Sequence, residues 1–174
     1  MINIGQYIEV VINWMMVHFS TFFDAVNVGI GSFIIGFQHI LFGIPFYITI
    51  LVLAALAWMK AGRGTAIFTA LGLLLIYGMG FWEATMQTLA LVLSSTCLAL
   101  IVGVPLGVWT ANSPRAEKIL RPVLDLMQTM PAFVYLIPAV LFFGLGAVPG
   151  VFATIIFAMP PVVRLTGLGI RQVP

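Results

Sequence analysis

ILFGIPFYITILVLAALAWM, residues 40–59, carries no charged side chain and is closed by the short basic turn KAGRG at 60–64. Crossing the hydrocarbon core of a bilayer takes roughly 20 apolar residues of helix. In water, a helix that is apolar all round must be buried on every side. This chain has little polar material with which to build such a surface. Of its 174 residues, 62% are hydrophobic and 7% charged, against about 25% charged in an ordinary soluble domain. The stretch therefore reads as a spanning helix, and lipid as the solvent of the whole chain.

The same reading extends toward the C-terminus. TAIFTALGLLLIYGMGFW, 65–82, is a second span, with Glu83 marking a loop. TMQTLALVLSSTCLALIVGVPLGVW, 85–109, is a third, followed by the polar basic connection TANSPRAEKILRP at 110–122. A fourth is expected from about Leu124 to Gly144. GLGAVPG, 144–150, is a Gly/Pro turn, and a fifth span starts near Val151 and reaches Arg164 or Ile170. The seven Lys and Arg residues alternate with these spans: Lys60 and Arg63, then Arg115, Lys118 and Arg121, then Arg164 and Arg171. Positive residues in short loops mark the cytoplasmic side. The expected topology has the N-terminus outside, five crossings, and the C-terminus in the cytoplasm.

Residues 1–39 read differently. Gln6, Glu9, Asn13, Ser20, Asp24 and Asn27 are spaced so that they fall on one stripe of a helical wheel, with Ile, Val, Trp, Met and Phe around the rest. The wide apolar face favours an amphipathic helix lying in the bilayer interface; the alternative is a spanning helix whose stripe faces other helices. Gly29, Gly31 and Gly36 are expected to break it. The domain reading is an amphipathic interfacial extension over 1–39 and a transmembrane domain over 40–174. The opening MINIGQYIEVV lacks a basic n-region and contains Glu9, so no cleavable signal peptide is expected.

Several chemistries are excluded or disfavoured. The basic residues form no single tract, which argues against nucleic acid as a partner. A lone Cys97 cannot form an intrachain disulfide or a cysteine metal cage. No GxxxxGK[ST] loop is present, so the chain does not bind nucleotide through that motif and is not read as an enzyme. His18 and His39 lie far apart and read as interfacial polar tips, and no metal site is expected. Ser94, Ser95 and Thr96 read as helix hydroxyls that bond their own backbone or a neighbouring helix. Asp125 follows Arg121 by four residues, the spacing of a helix-surface pair; Arg164 reads as a snorkelling anchor. The spans hold no deep carboxylate of the kind an ion-coupled carrier uses. That favours an external energy source.

Prolines punctuate the last three expected spans: Pro105, Pro131, Pro138, Pro160 and Pro161. A membrane helix tolerates proline where neighbours or water satisfy the freed carbonyl. These five are candidates for kinks or gates, with static packing as the alternative. Gln128, Thr129, Phe133 and Tyr135 flank the first of the two prolines in DLMQTMPAFVYLIPAV, 125–140, and are the candidate pathway residues; an aromatic face can attract a quaternary ammonium.

The run DLMQTMPAFVYLIPAVLFFGLGAVPGVFATIIFAMPPVVRLTGLGIRQVP, 125–174, resembles the core of the permease subunit of glycine betaine/proline-type ABC importers, and TLALVLSSTCLALIVGVPLGVW, 88–109, is similar to the core helix before it. WMMVHFSTFFDAV and the spans at 40–82 also look like members of that family. The resemblance implies an all-α membrane protein with the type I ABC importer permease fold. It implies a translocation pathway worked by alternating access for compatible solutes. The implied partners are a second permease subunit, an extracellular or periplasmic substrate-binding protein, membrane lipid, and a separate ABC ATPase that binds the ATP and magnesium; the chain itself would hold no cofactor. The family continues past an IRQVP-like segment into a cytoplasmic coupling helix, the EAA-type loop. Arg171, Gln172, Val173 and Pro174 match the lead-in to it, and the chain stops there. On that basis the fold is expected to be incomplete at its C-terminus, and the chain alone is not expected to support ATP-driven uptake. Choline, carnitine or another small solute, or a non-transporting membrane scaffold, are the alternative functions.

Overall fold

The computed structural model describes residues 4–172; residues 1–3, Val173, Pro174 and the side chains of residues 4–8, Gln6 among them, lie outside what is described. The described residues form eight α-helices and no strand: α1 (Ile4–His18), α2 (Ser20–Gly43), α3 (Phe46–Ala61), α4 (Arg63–Gly78), α5 (Trp82–Asn112), α6 (Pro114–Thr129), α7 (Phe133–Phe143) and α8 (Ala147–Gln172). The all-α membrane architecture expected from the sequence is what is found. Three helices, α2, α5 and α8, are long and apolar enough to cross a membrane.

Three local expectations change. First, the glycines at 29, 31 and 36 do not break the N-terminal region. α2 runs through all of them and past residue 39 to Gly43. Each interior glycine costs only about 1 kcal/mol of helix propensity relative to alanine, and a 24-residue apolar helix absorbs that cost. The break falls at Phe19 instead. α2 has the length of a span, which is the alternative reading of its polar stripe. One stripe residue is spent on a helix contact: Asn27 Nδ2 donates to the Phe143 carbonyl at 3.5 Å.

Second, α3 and α4 are short. Each has 16 residues, about 24 Å at 1.5 Å per residue. Gly62, at φ 91°, joins them, a left-handed backbone that glycine adopts without steric cost.

Third, the fourth expected span is not one kinked helix. α6 and α7 meet at a bend of 95° across residues 130–132, where Pro131 sits. Pro131 cannot donate to the carbonyl four residues back, and it disfavours helical backbone at Met130. Met130 is accordingly extended, at ψ 137°. By contrast Pro105, Pro138, Pro160 and Pro161 lie within helices that continue past them. The stretch read as a polar connection is largely helical: Ser113 caps α6 by accepting from the Ala116 N–H at 3.3 Å, with Pro114 in the first turn. That is the pairing of cap and proline that starts helices.

The chain divides into two compact units, Met1–Phe33 with Ser94–Pro174, and Ile34–Leu93. In the first, Ala116, Leu124, Ala139, Val151 and Val163 form part of the core. Gly103 and Gly107 bring α5 against α8. A Cβ at Gly103 would lie 2.7 Å from Val162 Cγ1, and one at Gly107 would lie 2.6 Å from Thr166 Cβ and 2.9 Å from the Val163 carbonyl. GVPLG, 103–107, is thus a small-xxx-small contact, the spacing by which membrane helices approach backbone to backbone. Phe23 of α2 stacks on Phe142 of α7, with ring centroids 4.6 Å apart. In the second unit, Phe46 stacks on Tyr77 at 3.9 Å and both present edges to Trp82 at 6.2 Å.

Candidate functional site

Two features of the first unit hold its polar chemistry: a cleft between α6 and α8, and the elbow between α6 and α7.

The cleft encloses about 400 Å³ and is bordered by Thr110, Glu117, Arg121, Asp125, Arg164 and Arg171 among others. α6 and α8 run past each other here, and two ion pairs join them. Asp125 pairs with Arg164. Arg171 Nη2 donates to Glu117 Oε2 at 2.6 Å and Nη1 to Oε1 at 3.3 Å, a two-pronged contact. Nη2 also reaches the Thr110 carbonyl at the end of α5, at 3.3 Å, so one guanidinium ties three helices. Thr110 is buried and donates to the Gly107 carbonyl at 2.9 Å, which connects this knot to the glycine contact below it. Glu117 lies at the start of α6, outside the apolar spans. The hydrogen bond from Arg171 is the chief cause that holds its carboxyl below the ordinary value. Partial desolvation opposes this, and the charges of Arg171 and Arg121 reinforce it. The paired side chains are roughly half exposed, so water screens both pairs and each is weak by itself.

Two sequence readings are corrected here. Asp125 pairs with Arg164, not with Arg121 one turn away, and Arg164 is therefore not a free anchor. Both side chains face the same cleft, where an Arg can meet a carboxylate without bending back along its own helix. Arg171, which the resemblance makes part of the lead-in to a coupling segment, also closes the α5–α6–α8 knot; Gln172 is the last described helical residue.

At the elbow, Gln128 and Thr129 end α6, and Phe133 and Tyr135 begin α7. Phe133 is largely exposed and Tyr135 half-buried. The Tyr135 hydroxyl donates to the Leu126 carbonyl at 3.0 Å, nine residues back across the bend, and the Thr129 hydroxyl reaches the same carbonyl at 3.2 Å. The Met130 N–H is already there at 3.1 Å. The phenol is a strut that fixes the corner. The four candidate pathway residues therefore share one place in the fold.

Sequence reasoning missed Glu117, Thr110, Gly103 and Gly107. The glycine spacing was legible; the partners of Glu117 and Thr110, 54 and 61 residues away, were not. Ser94 also departs from expectation: its hydroxyl is fully buried without a hydrogen-bond partner.

Residues 103–174 match the family described as binding-protein-dependent transport system inner membrane component. This segment contains the glycine contact, the cleft and the elbow. The chain is 47% identical over 173 residues to the glycine betaine transport system permease protein OpuAB of Bacillus subtilis, covering 99% of this chain and 61% of that protein. It is 48% identical over 174 residues to the glycine betaine/proline betaine transport system permease protein ProW of Escherichia coli, covering 100% of this chain and 49% of the relative. It is 51% identical over 162 residues to the glycine betaine/carnitine transport permease protein GbuB of Listeria monocytogenes, covering 91% and 57%. The chain thus spans about half to three-fifths of the length of these curated relatives.

Proposed function

From a chain that is similar along its length to glycine betaine permeases, and whose residues 103–174 match the family of binding-protein-dependent transport system inner membrane components, we propose that it forms part of the translocation pathway of an ATP-driven importer of glycine betaine and similar compatible solutes. The observation that carries this reading is the identity with relatives named for that substrate. A separate ATPase supplies the energy, a binding protein delivers solute from outside, and a second permease subunit completes the pathway. The chain does not itself hydrolyse nucleotide.

In this reading the α6–α7 elbow and the cleft are the moving parts. Alternating access requires that each partner favour one of two conformations. An ion-paired seam of modest strength, beside a corner fixed by one phenol, can be shifted by the binding energy of an ATPase docked at that end. The elbow residues Gln128, Thr129, Phe133 and Tyr135 face the pathway, and Phe133 and Tyr135 attract the solute's quaternary ammonium. The name of the Listeria relative favours carnitine as a second substrate.

The test is ATP hydrolysis by the complete complex in proteoliposomes. Glycine betaine with the binding protein is expected to stimulate hydrolysis, and an equal concentration of leucine is not. Stimulation by neither, or by both equally, sinks the substrate assignment.

Orientation is tested separately. In a Cys97→Ala background, single cysteines at Arg63→Cys and Lys118→Cys are expected to resist an impermeant thiol reagent in intact cells, while Glu83→Cys reacts. Labelling at position 63 in sealed cells reverses the assigned topology.

A further inference from the structure

The second unit holds a groove that the transport reading does not use. It encloses about 410 Å³ along the seam of α3 and α4 and is almost wholly apolar. Ala54 and Ala55 of α3 and Ala66 and Ala70 of α4 keep it open, with Ile50 within it and Trp58 at one end. That end is the α3–α4 turn. Arg63 lies there with its guanidinium carbon 5.6 Å from the centre of the Trp58 ring, and Lys60 is in the last turn of α3. From Ile34 to Trp82 the sequence contains no Asp or Glu, and the two ion pairs of the described residues lie in the other unit. Arg63 thus stands at the mouth of a greasy channel, with Lys60 in the turn beside it.

We propose that this groove is a binding site for one anionic phospholipid, with an acyl chain along the α3–α4 seam and the headgroup phosphate at Arg63, in the field of the basic turn that also carries Lys60. The charge at the mouth selects this occupant over a partner helix. A transmembrane helix entering the groove would bring no anion to the turn unless it carried an acid there, whereas a phospholipid brings its phosphate attached to the chain that fills the channel. Arg63 is held over Trp58 by cation–π attraction, which keeps the guanidinium at the groove rather than free in water. The shortness of both helices serves the same end. At about 24 Å they place the basic turn close to the hydrocarbon boundary, where a phosphate sits. The site depends only on membrane insertion, so its failure and failure of the transport assignment are separate results.

The test uses the full protein in lipid nanodiscs, with Trp14, Trp82 and Trp109 replaced by Phe so that Trp58 alone reports. Dibromo-phosphatidylglycerol is expected to quench Trp58 more strongly than dibromo-phosphatidylcholine at the same mole fraction. One cation beside the headgroup favours the anionic lipid about fivefold, and the second in the same turn adds to it. Lys60→Gln with Arg63→Gln should abolish the preference, and Ala55→Leu with Ala70→Leu should reduce quenching by both lipids. Equal quenching by the two lipids, or a preference that survives the double glutamine variant, overturns the proposal. So does quenching by neither, which would mean that a protein helix fills the groove. Native mass spectrometry of the unsubstituted protein provides the same decision without the tryptophan changes. One phosphatidylglycerol retained by the parent and lost from the Lys60→Gln/Arg63→Gln variant supports the site; equal retention by both refutes it.

Discussion

Gly107→Ala is expected to separate α5 from α8 and to destabilise the first unit by about 1–3 kcal/mol, the usual cost of forcing a methyl into a filled contact. The added Cβ would lie 2.6 Å from Thr166 Cβ and 2.9 Å from the Val163 carbonyl oxygen. One of these obstacles is backbone, so no side-chain truncation on α8 should rescue the variant. Gly103→Ala offers the contrast. Its nearest obstacle is Val162 Cγ1 at 2.7 Å, an atom that Val162→Ala removes, so the double variant should recover part of the loss. Denaturant unfolding in detergent measures both. Equal rescue at the two positions, or no destabilisation at Gly107, would mean that the helices are not in backbone contact.

The second large effect concerns the α6–α8 seam. Reversing both acids, Glu117→Arg with Asp125→Arg, places two new cations opposite Arg164 and Arg171, beside Arg121. Each exposed pair is weak by itself, but the two losses and the new repulsion act on one seam. Uptake by the complete complex is therefore expected to fall about tenfold, and to return in large part when Arg164→Glu and Arg171→Glu restore the pairs in reverse. No recovery in the fourfold variant would show that the original residues act through something other than their mutual attraction. The pH dependence has a definite sign. Glu117 has a lowered folded-state value. Its contribution is fully present above the unfolded carboxylate range and is lost as pH falls through the lower folded value. Neutral and mildly acidic conditions should leave this pair intact.

How much of this was written in the chain depends on the range of the interaction. The turn at 60–64 and the corner at Pro131 are set by neighbours a few residues away, and the sequence shows where the chain turns there, whereas the run at 40–59, read as one span, is divided between α2, which ends at Gly43, and α3, which starts at Phe46, and the stretch read as a connection at 110–122 starts a helix at the Ser113 cap. The degree of turning is another matter. A proline inside an apolar run is compatible with a mild kink, as the continuous helices around Pro105 and Pro160 illustrate. The right-angled elbow depends on extended backbone at Met130 and on the Tyr135 strut. Glycine in α2 misled for a related reason: the propensity that breaks a marginal helix in water is small beside the demand of a long apolar segment for internally satisfied amides. The Asp125 pairing was misassigned because the helix-surface rule considers only one helix. The partner that prevails lies 39 residues on, and only packing brings it near.

The corner between α6 and α7 has a consequence for what can surround it. Pro131 offers no N–H to the carbonyl of Met127, and hydrocarbon cannot solvate that oxygen. At the depth of the hydrocarbon such a bend is tolerated only where water or another polypeptide covers it.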